Sequence, residues 1–328
     1  MNAMQESLRG FGIAVIAVWV ILCIAAAVYS QQKDIPVWVS AAVVPAFLVE
    51  AAFYMAAGMC PTRRRLESLG PPIIAALMTA SAAVPYLIYS IGTGIYTTAS
   101  LLGVIGLAAA ASYWYVLLGK RPAADLGFLV LMAGVILAKV FPHLYAAPIE
   151  DLEIYILGVA MWVRTGVLAV LSLRRMEGIG FSFMPRREDW RIGFRNYLYF
   201  LPLGIGVALA LGFLDGERSP LTGKTLFVAA ATFAGMLWVV ALSEEFFFRG
   251  LLQQFFERQM HSRTLAIVAA SAIFGLAHLG FRAFPNWKFA LLATIAGLFY
   301  GRAFAQAQSI RASMVTHALV NTTWRVFL

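Results

Sequence analysis

Charge is the first thing this sequence is short of. Of its 328 residues only 12% are charged, while 61% are hydrophobic. Soluble domains carry about 25% charged and about 45–50% apolar residues, so an integral membrane protein is expected instead. Cysteine is almost absent. Cys23 and Cys60 form no CxxC and no metal spacing, which removes any disulfide framework or thiolate cluster. No HExxH occurs either. The period-two alternation of a transmembrane barrel is also missing. Acidic residues number 16 against 25 Lys and Arg, a net charge of +9. That excess sits in short loops between apolar runs, as in cytoplasmic membrane loops, and is no nucleic-acid footprint. The expected partner for so apolar a surface is the lipid bilayer.

What is present is a series of long apolar runs. They lie near 11–29, 36–59, 71–91, 95–118, 126–147, 152–173, 197–214, 225–255, 265–281, 288–304 and 311–328. Crossing about 30 Å of hydrocarbon takes about 20 helical residues, and lipid leaves no other way to pair the backbone. The expectation is an all-α, polytopic membrane helical bundle of about 11 transmembrane helices. The first run ends in "AAAVYS" like a signal peptide. It exceeds the usual apolar core of about 7–15 residues, so a retained span is expected.

The loops give a check on that count. Basic connections occur at 62–70, 119–125, 174–195 and 257–263 and around Arg302 and Arg311. The connections between them are neutral or acidic, as at 91–94 and 148–153; the loop 215–224 has mixed charge. Basic loops on every second connection place the N-terminus in the cytoplasm and the C-terminus outside. The stretch 174–195 mixes Arg with Phe181, Phe183, Trp190 and Phe194, which suits a membrane-surface segment. It divides the chain into an N-terminal part, 1–175, of about six spans and a C-terminal part, 176–328.

The stretch "ALSEEFFFRGLLQQF", Ala241 to Phe255, breaks the apolar pattern. An ionisable residue costs about 2.5–3.5 kcal/mol in a span, so three together require partners or a wet cavity. Glu245 and Arg249 are four apart and share a helical face. Glu244 points about 100° away. A buried ion pair accounts for one Glu and the Arg and leaves the second carboxylate unexplained. Further along, "IFGLAHLG" holds Phe274 and His278, and "THALVNTT" holds His317 and Asn321, again four apart. Glu244 lies sixteen residues before position 260 and His278 eighteen after it, so a turn there brings them to similar depth. Asn321 is ten residues beyond Arg311, about 15 Å along a helix. A carboxylate and an imidazole can deprotonate water, and a His/Asn pair can donate to an oxyanion.

These three ordered motifs, Glu244-Glu245-x-x-x-Arg249, Phe274-x-x-x-His278 and His317-x-x-x-Asn321, resemble those of the CPBP family. That family comprises CAAX prenyl endopeptidases and bacteriocin-processing (Abi) proteins. The resemblance covers roughly residues 176–328, which would be the protease core, with 1–175 as an accessory membrane domain. It implies a glutamic-type intramembrane endopeptidase that hydrolyses a peptide bond near the C-terminus or membrane anchor of a protein substrate. Glu244 would be the general base, His278 would share its water, and His317 and Asn321 would form the oxyanion hole. Glu245 and Arg249 would orient these groups or the substrate. Such a site needs no metal or cofactor. The expected location is a bacterial inner membrane, and the expected partner a membrane-associated protein or peptide.

Two other readings use the same residues. Glu244, Glu245, His278 and His317 could ligate zinc, although they lack a local chelating pair. A non-enzymatic transporter or immunity-type protein would also tolerate intramembrane polar groups. A cysteine protease is disfavoured, because neither Cys has a nearby His constellation. In the N-terminal half, Glu50, Lys139 and Arg164 fall inside expected spans, and His143 lies near a span end. Glu50 and Arg164 sit at similar computed depths and are expected to pair, while Lys139 is expected to reach the outer surface.

Overall fold

The computed structural model describes residues 3–214 and 221–328. It is all-helical, with thirteen helices and no strand among the described residues. They form two compact units, Met1–Met176 and Glu177–Leu328.

The first unit contains α1 (Ala3–Gln32), α2 (Val37–Gly58), α3 (Cys60–Glu67), α4 (Pro71–Gly92) and α5 (Thr98–Leu118). It continues through α6 (Pro122–Leu137), α7 (Val140–Leu144) and α8 (Tyr155–Arg174), whose last turns are π-helical. The charges inside this unit are paired. Arg164 donates from Nε to Glu50 Oε1 at 2.7 Å and from Nη2 to Glu50 Oε2 at 3.3 Å. Its Nη1 donates to Ser81 at 2.8 Å, and its guanidinium lies over the Phe53 ring at 5.1 Å. The expected pairing of Glu50 with Arg164 is therefore present. At the basic end of the unit, Arg174 makes a two-pronged bond to Asp125 at 2.7 and 2.9 Å.

The second unit contains α9 (Arg187–Ala210), α10 (Gly223–Met260), α11 (Arg263–Ala277), α12 (Trp287–Ala307) and α13 (Ile310–Val326). Polar caps start these helices: Thr222, Ser262, Asn286 and Ser309 each accept a backbone N–H from the first turn of the helix that follows. The core gathers Phe200, Phe274, Ala293, Ala296, Tyr300 and Val320 from α9, α11, α12 and α13.

Among the described residues, eight helices are long and apolar enough to cross a membrane: α1 from Arg9, α2, α4, α5, α8, α9, α10 and α12. The protein is thus a multi-pass membrane protein. The expected eleven runs all fold as helix, but α6, α11 and α13 are shorter than the rest. The run 126–147 is divided at Lys139, whose backbone is left-handed (φ 50°), with α7 beginning after it. Lys139 is exposed, and His143 Nδ1 bonds its carbonyl at 2.9 Å. The run 265–281 stops at Ala277. The run 197–214 begins ten residues early, at Arg187, because Asp189 accepts the Arg186 N–H at 2.8 Å and starts the helix. Trp190 and Phe194 therefore belong to a helix and not to a surface loop. Arg311 also departs from expectation. It is buried and paired with Asp189 at 3.0 Å, so it contributes no free loop charge. Residues 215–220 of the mixed-charge loop lie outside the described residues.

Candidate active site

Helix α10 does not carry its glutamates on a regular α-helix. Met236–Ala241 and Phe246–Gln253 are π-helical, and Leu242–Glu245 forms the single α turn between them. Such stretches widen the helix and recur at functional sites. Ser243, just before the pair, turns its hydroxyl back onto the carbonyls of Val239 and Val240 at 3.0 and 2.9 Å. That back-bonding loosens the backbone ladder where the carboxylates emerge.

The two carboxylates face different surroundings. Glu245 and Arg249 are completely buried, with Arg249 Nε donating to Glu245 Oε2 at 3.1 Å. Glu244 is 30% exposed at its side chain. Its Oε2 is nonetheless buried, with no protein hydrogen-bond partner among the described residues. The helical offset read from the sequence is therefore observed: one carboxylate is tied to the arginine, and the other projects elsewhere.

His317 joins them. From α13 its Nδ1 bonds Glu245 Oε1 at 2.7 Å, and its Nε2 lies 3.9 Å from Glu244 Oε2. Because a carboxylate only accepts, the Nδ1 carries the proton, and Nε2 is the atom turned toward Glu244. One turn on, Asn321 Nδ2 meets the Met236 thioether at 3.8 Å, a weak acceptor.

His278 occupies the C-cap of α11 instead of a mid-span position. Its backbone N–H bonds Gly275 O at 3.0 Å, which frees the Phe274 carbonyl. The imidazole Nδ1 takes up that carbonyl at 2.7 Å. The side chain thereby satisfies a helix-end acceptor and fixes its own tautomer. A carbonyl accepts only, so Nδ1 holds the proton and Nε2 is left with a lone pair. The Phe274 ring contacts both histidines, with centroids 4.5 Å from His278 and 5.8 Å from His317.

Two features escaped the sequence. One is the Glu245–His317 bond, which spans 72 positions. The other is Tyr300 on α12, whose ring stacks on His317 at 4.5 Å and 14°. A signal for α12 did exist in Gly297-x-x-x-Gly301. A Cβ at Gly297 would sit 3.3 Å from Arg249 Nη2, and one at Gly301 would sit 2.7 Å from Gln253 Oε1. Small residues four apart allow this close approach of membrane helices. As for metal, no group of three or more His, Cys, Asp and Glu side chains is placed to hold an ion among the described residues.

Residues 226–323 match the family model described as type II CAAX prenyl endopeptidase Rce1-like, within the CPBP family. The match spans α10 to α13 and contains all six of the polar residues above. It supports a membrane-embedded endopeptidase as the general class. Searches of curated proteins and of solved structures return no significant match.

Proposed function

On the match of residues 226–323 to the Rce1-like family model, we propose that this protein is a glutamic-type endopeptidase working inside the bilayer. The substrate is a membrane-associated protein or peptide, cut near its C-terminus or membrane anchor. The observation that carries the proposal is Glu244 Oε2. It is a buried carboxylate oxygen with no protein hydrogen bond, on a side chain that is otherwise reachable, 3.9 Å from an imidazole nitrogen. Buried carboxylate oxygens are ordinarily satisfied, and one left open in a half-open site suits a water nucleophile.

In this reading Glu244 and His278 Nε2 hold the water. Glu244 takes its proton as the oxygen attacks the scissile carbonyl, and the same proton then passes to the leaving amine. The developing oxyanion receives hydrogen bonds from His317 Nε2 and Asn321 Nδ2. An imidazole can donate from Nε2 while also donating from Nδ1 only when both nitrogens are protonated. Glu245 on Nδ1 is the counter-charge for that form, and Arg249 in turn holds Glu245 in place. Two carboxylates, one guanidinium and one imidazolium sum to zero, which suits a low-dielectric site. The N-terminal unit is the accessory part of this enzyme, and its first residues lie on the cytoplasmic side, following its basic loops.

The test is cleavage of a membrane-reconstituted peptide, a prenylated CAAX-type sequence with a fluorophore–quencher pair. Wild type should cleave it and Glu244→Ala should not. Equal turnover by the two proteins would refute the proposal. A comparison of protein C-termini in cells with and without the enzyme identifies the natural substrate.

A further inference from the structure

A catalytic imidazole has to be held in both direction and plane. The bond from Nδ1 to Glu245 fixes one atom of the His317 ring. It leaves rotation about that contact, which would swing Nε2 away from the Glu244 side. Two rings from neighbouring helices remove this freedom. Tyr300 of α12 lies nearly parallel to the imidazole, with centroids 4.5 Å apart and an interplanar angle of 14°. Phe274 of α11 meets it edge-on at 5.8 Å and 89°. The same two rings also flank Arg249, whose Cζ lies 5.3 Å from the Phe274 centroid and 5.9 Å from that of Tyr300. Tyr300 is 1% exposed, so the contact is not one that solvent or lipid competes for.

We infer that Tyr300 is a positioning residue: its ring, stacked on His317, holds the imidazole plane so that Nε2 faces the reacting carbonyl. The role belongs to the ring face. Parallel stacking on an imidazole is directional, and it is retained by Phe and lost with Leu. Gly297, one turn before Tyr300, and Gly301, the residue after it, let α12 approach α10 and α11 closely, against Arg249, Ser271, Gln253 and Ile267. The inference rests on the proposed role of His317 in proteolysis, so its test has one arm that needs no substrate.

The chain has four histidines, so the imidazole spectrum of ¹⁵N-histidine-labelled protein in detergent micelles is sparse. The His317 signals are identified by their loss in His317→Gln. Tyr300→Phe should keep the wild-type His317 shifts. Tyr300→Leu should move the ring-proton signal downfield, since the stacked ring current is gone. With the prenylated CAAX-type peptide, Tyr300→Leu should lower kcat about tenfold with KM unchanged, whereas Tyr300→Phe should stay within about threefold of wild type. Phe299→Leu is the control. It removes a neighbouring ring on α12 that packs on Phe200 at 5.8 Å, and it should change neither readout. If Tyr300→Leu fails to fold, Tyr300→Met takes its place.

Wild-type His317 shifts in Tyr300→Leu, or a loss confined to KM, would overturn the inference. An equal loss of kcat in Tyr300→Phe would also overturn it, by assigning the effect to the hydroxyl. If wild type cleaves no peptide, the proteolytic reading fails, while the spectra still decide whether Tyr300 holds His317.

Discussion

His317 and Glu245, 72 positions apart on α13 and α10, share a 2.7 Å hydrogen bond. The bond makes the second glutamate the anchor of an imidazole as well as the partner of Arg249. The two adjacent glutamates are thereby separated into an inner one that organises and an outer one that is open to the site.

The outer glutamate should be indispensable to chemistry and dispensable to folding. Glu244→Gln keeps the size and polarity of the side chain but cannot take a proton from water. Turnover of the prenylated peptide should fall by about 100- to 10,000-fold, the usual contribution of a general base. The detergent melting temperature should hold. A Gln variant with near-normal turnover sinks the general-base role.

The inner glutamate should behave differently. Glu245→Ala leaves the Arg249 guanidinium buried and uncompensated, at a cost of about 3–5 kcal/mol by comparison with buried pairs in soluble proteins. Both stability and activity should drop. Glu245→Ala combined with Arg249→Met should regain stability in thermal melts but not activity, because His317 stays unanchored. Recovery of turnover in the double variant would show that the anchor is not needed.

Asn321 should act on the transition state alone. Removal of a single oxyanion donor costs about 100- to 1000-fold in turnover. Asn321→Ala should therefore lower kcat on that scale with little change in KM. A pure KM effect would place Asn321 in substrate binding instead.

Metal removal separates the glutamic reading from the zinc reading. Activity should survive prolonged chelation and dialysis, and elemental analysis of the purified protein should find no stoichiometric zinc. Loss on chelation with recovery on adding zinc would transfer the same residues to a metal-dependent mechanism.

In the first unit, Glu50 and Arg164 form a buried pair, 2% and 3% exposed at the side chains of Arg164 and Glu50 respectively. Glu50→Ala should lower the melting temperature, and Glu50→Ala with Arg164→Ala should regain part of the loss. Turnover per folded molecule should be unchanged in both. Full stability with abolished cleavage in Glu50→Gln would assign the pair to function instead.

The all-helical membrane character was legible without any structure, because lipid demands helices and the apolar runs are long. So was the split of Glu244 from Glu245 and Arg249, since a helix offset of one residue against four is fixed by backbone geometry. Charge and depth together also predicted the Glu50–Arg164 pair: an isolated charge in a span is costly enough that level partners find each other. Helix ends were less legible. Composition shows where a segment is apolar, but not that Lys139 turns left-handed or that Asp189 starts α9 ten residues early. Those points depend on single backbone and capping contacts. The wiring between the helices of the site was not legible. The Glu245–His317 bond joins helices 72 positions apart and the Tyr300 stack joins two consecutive helices, and in both cases only the packing of α10 through α13 decides which side chains come within a few ångströms.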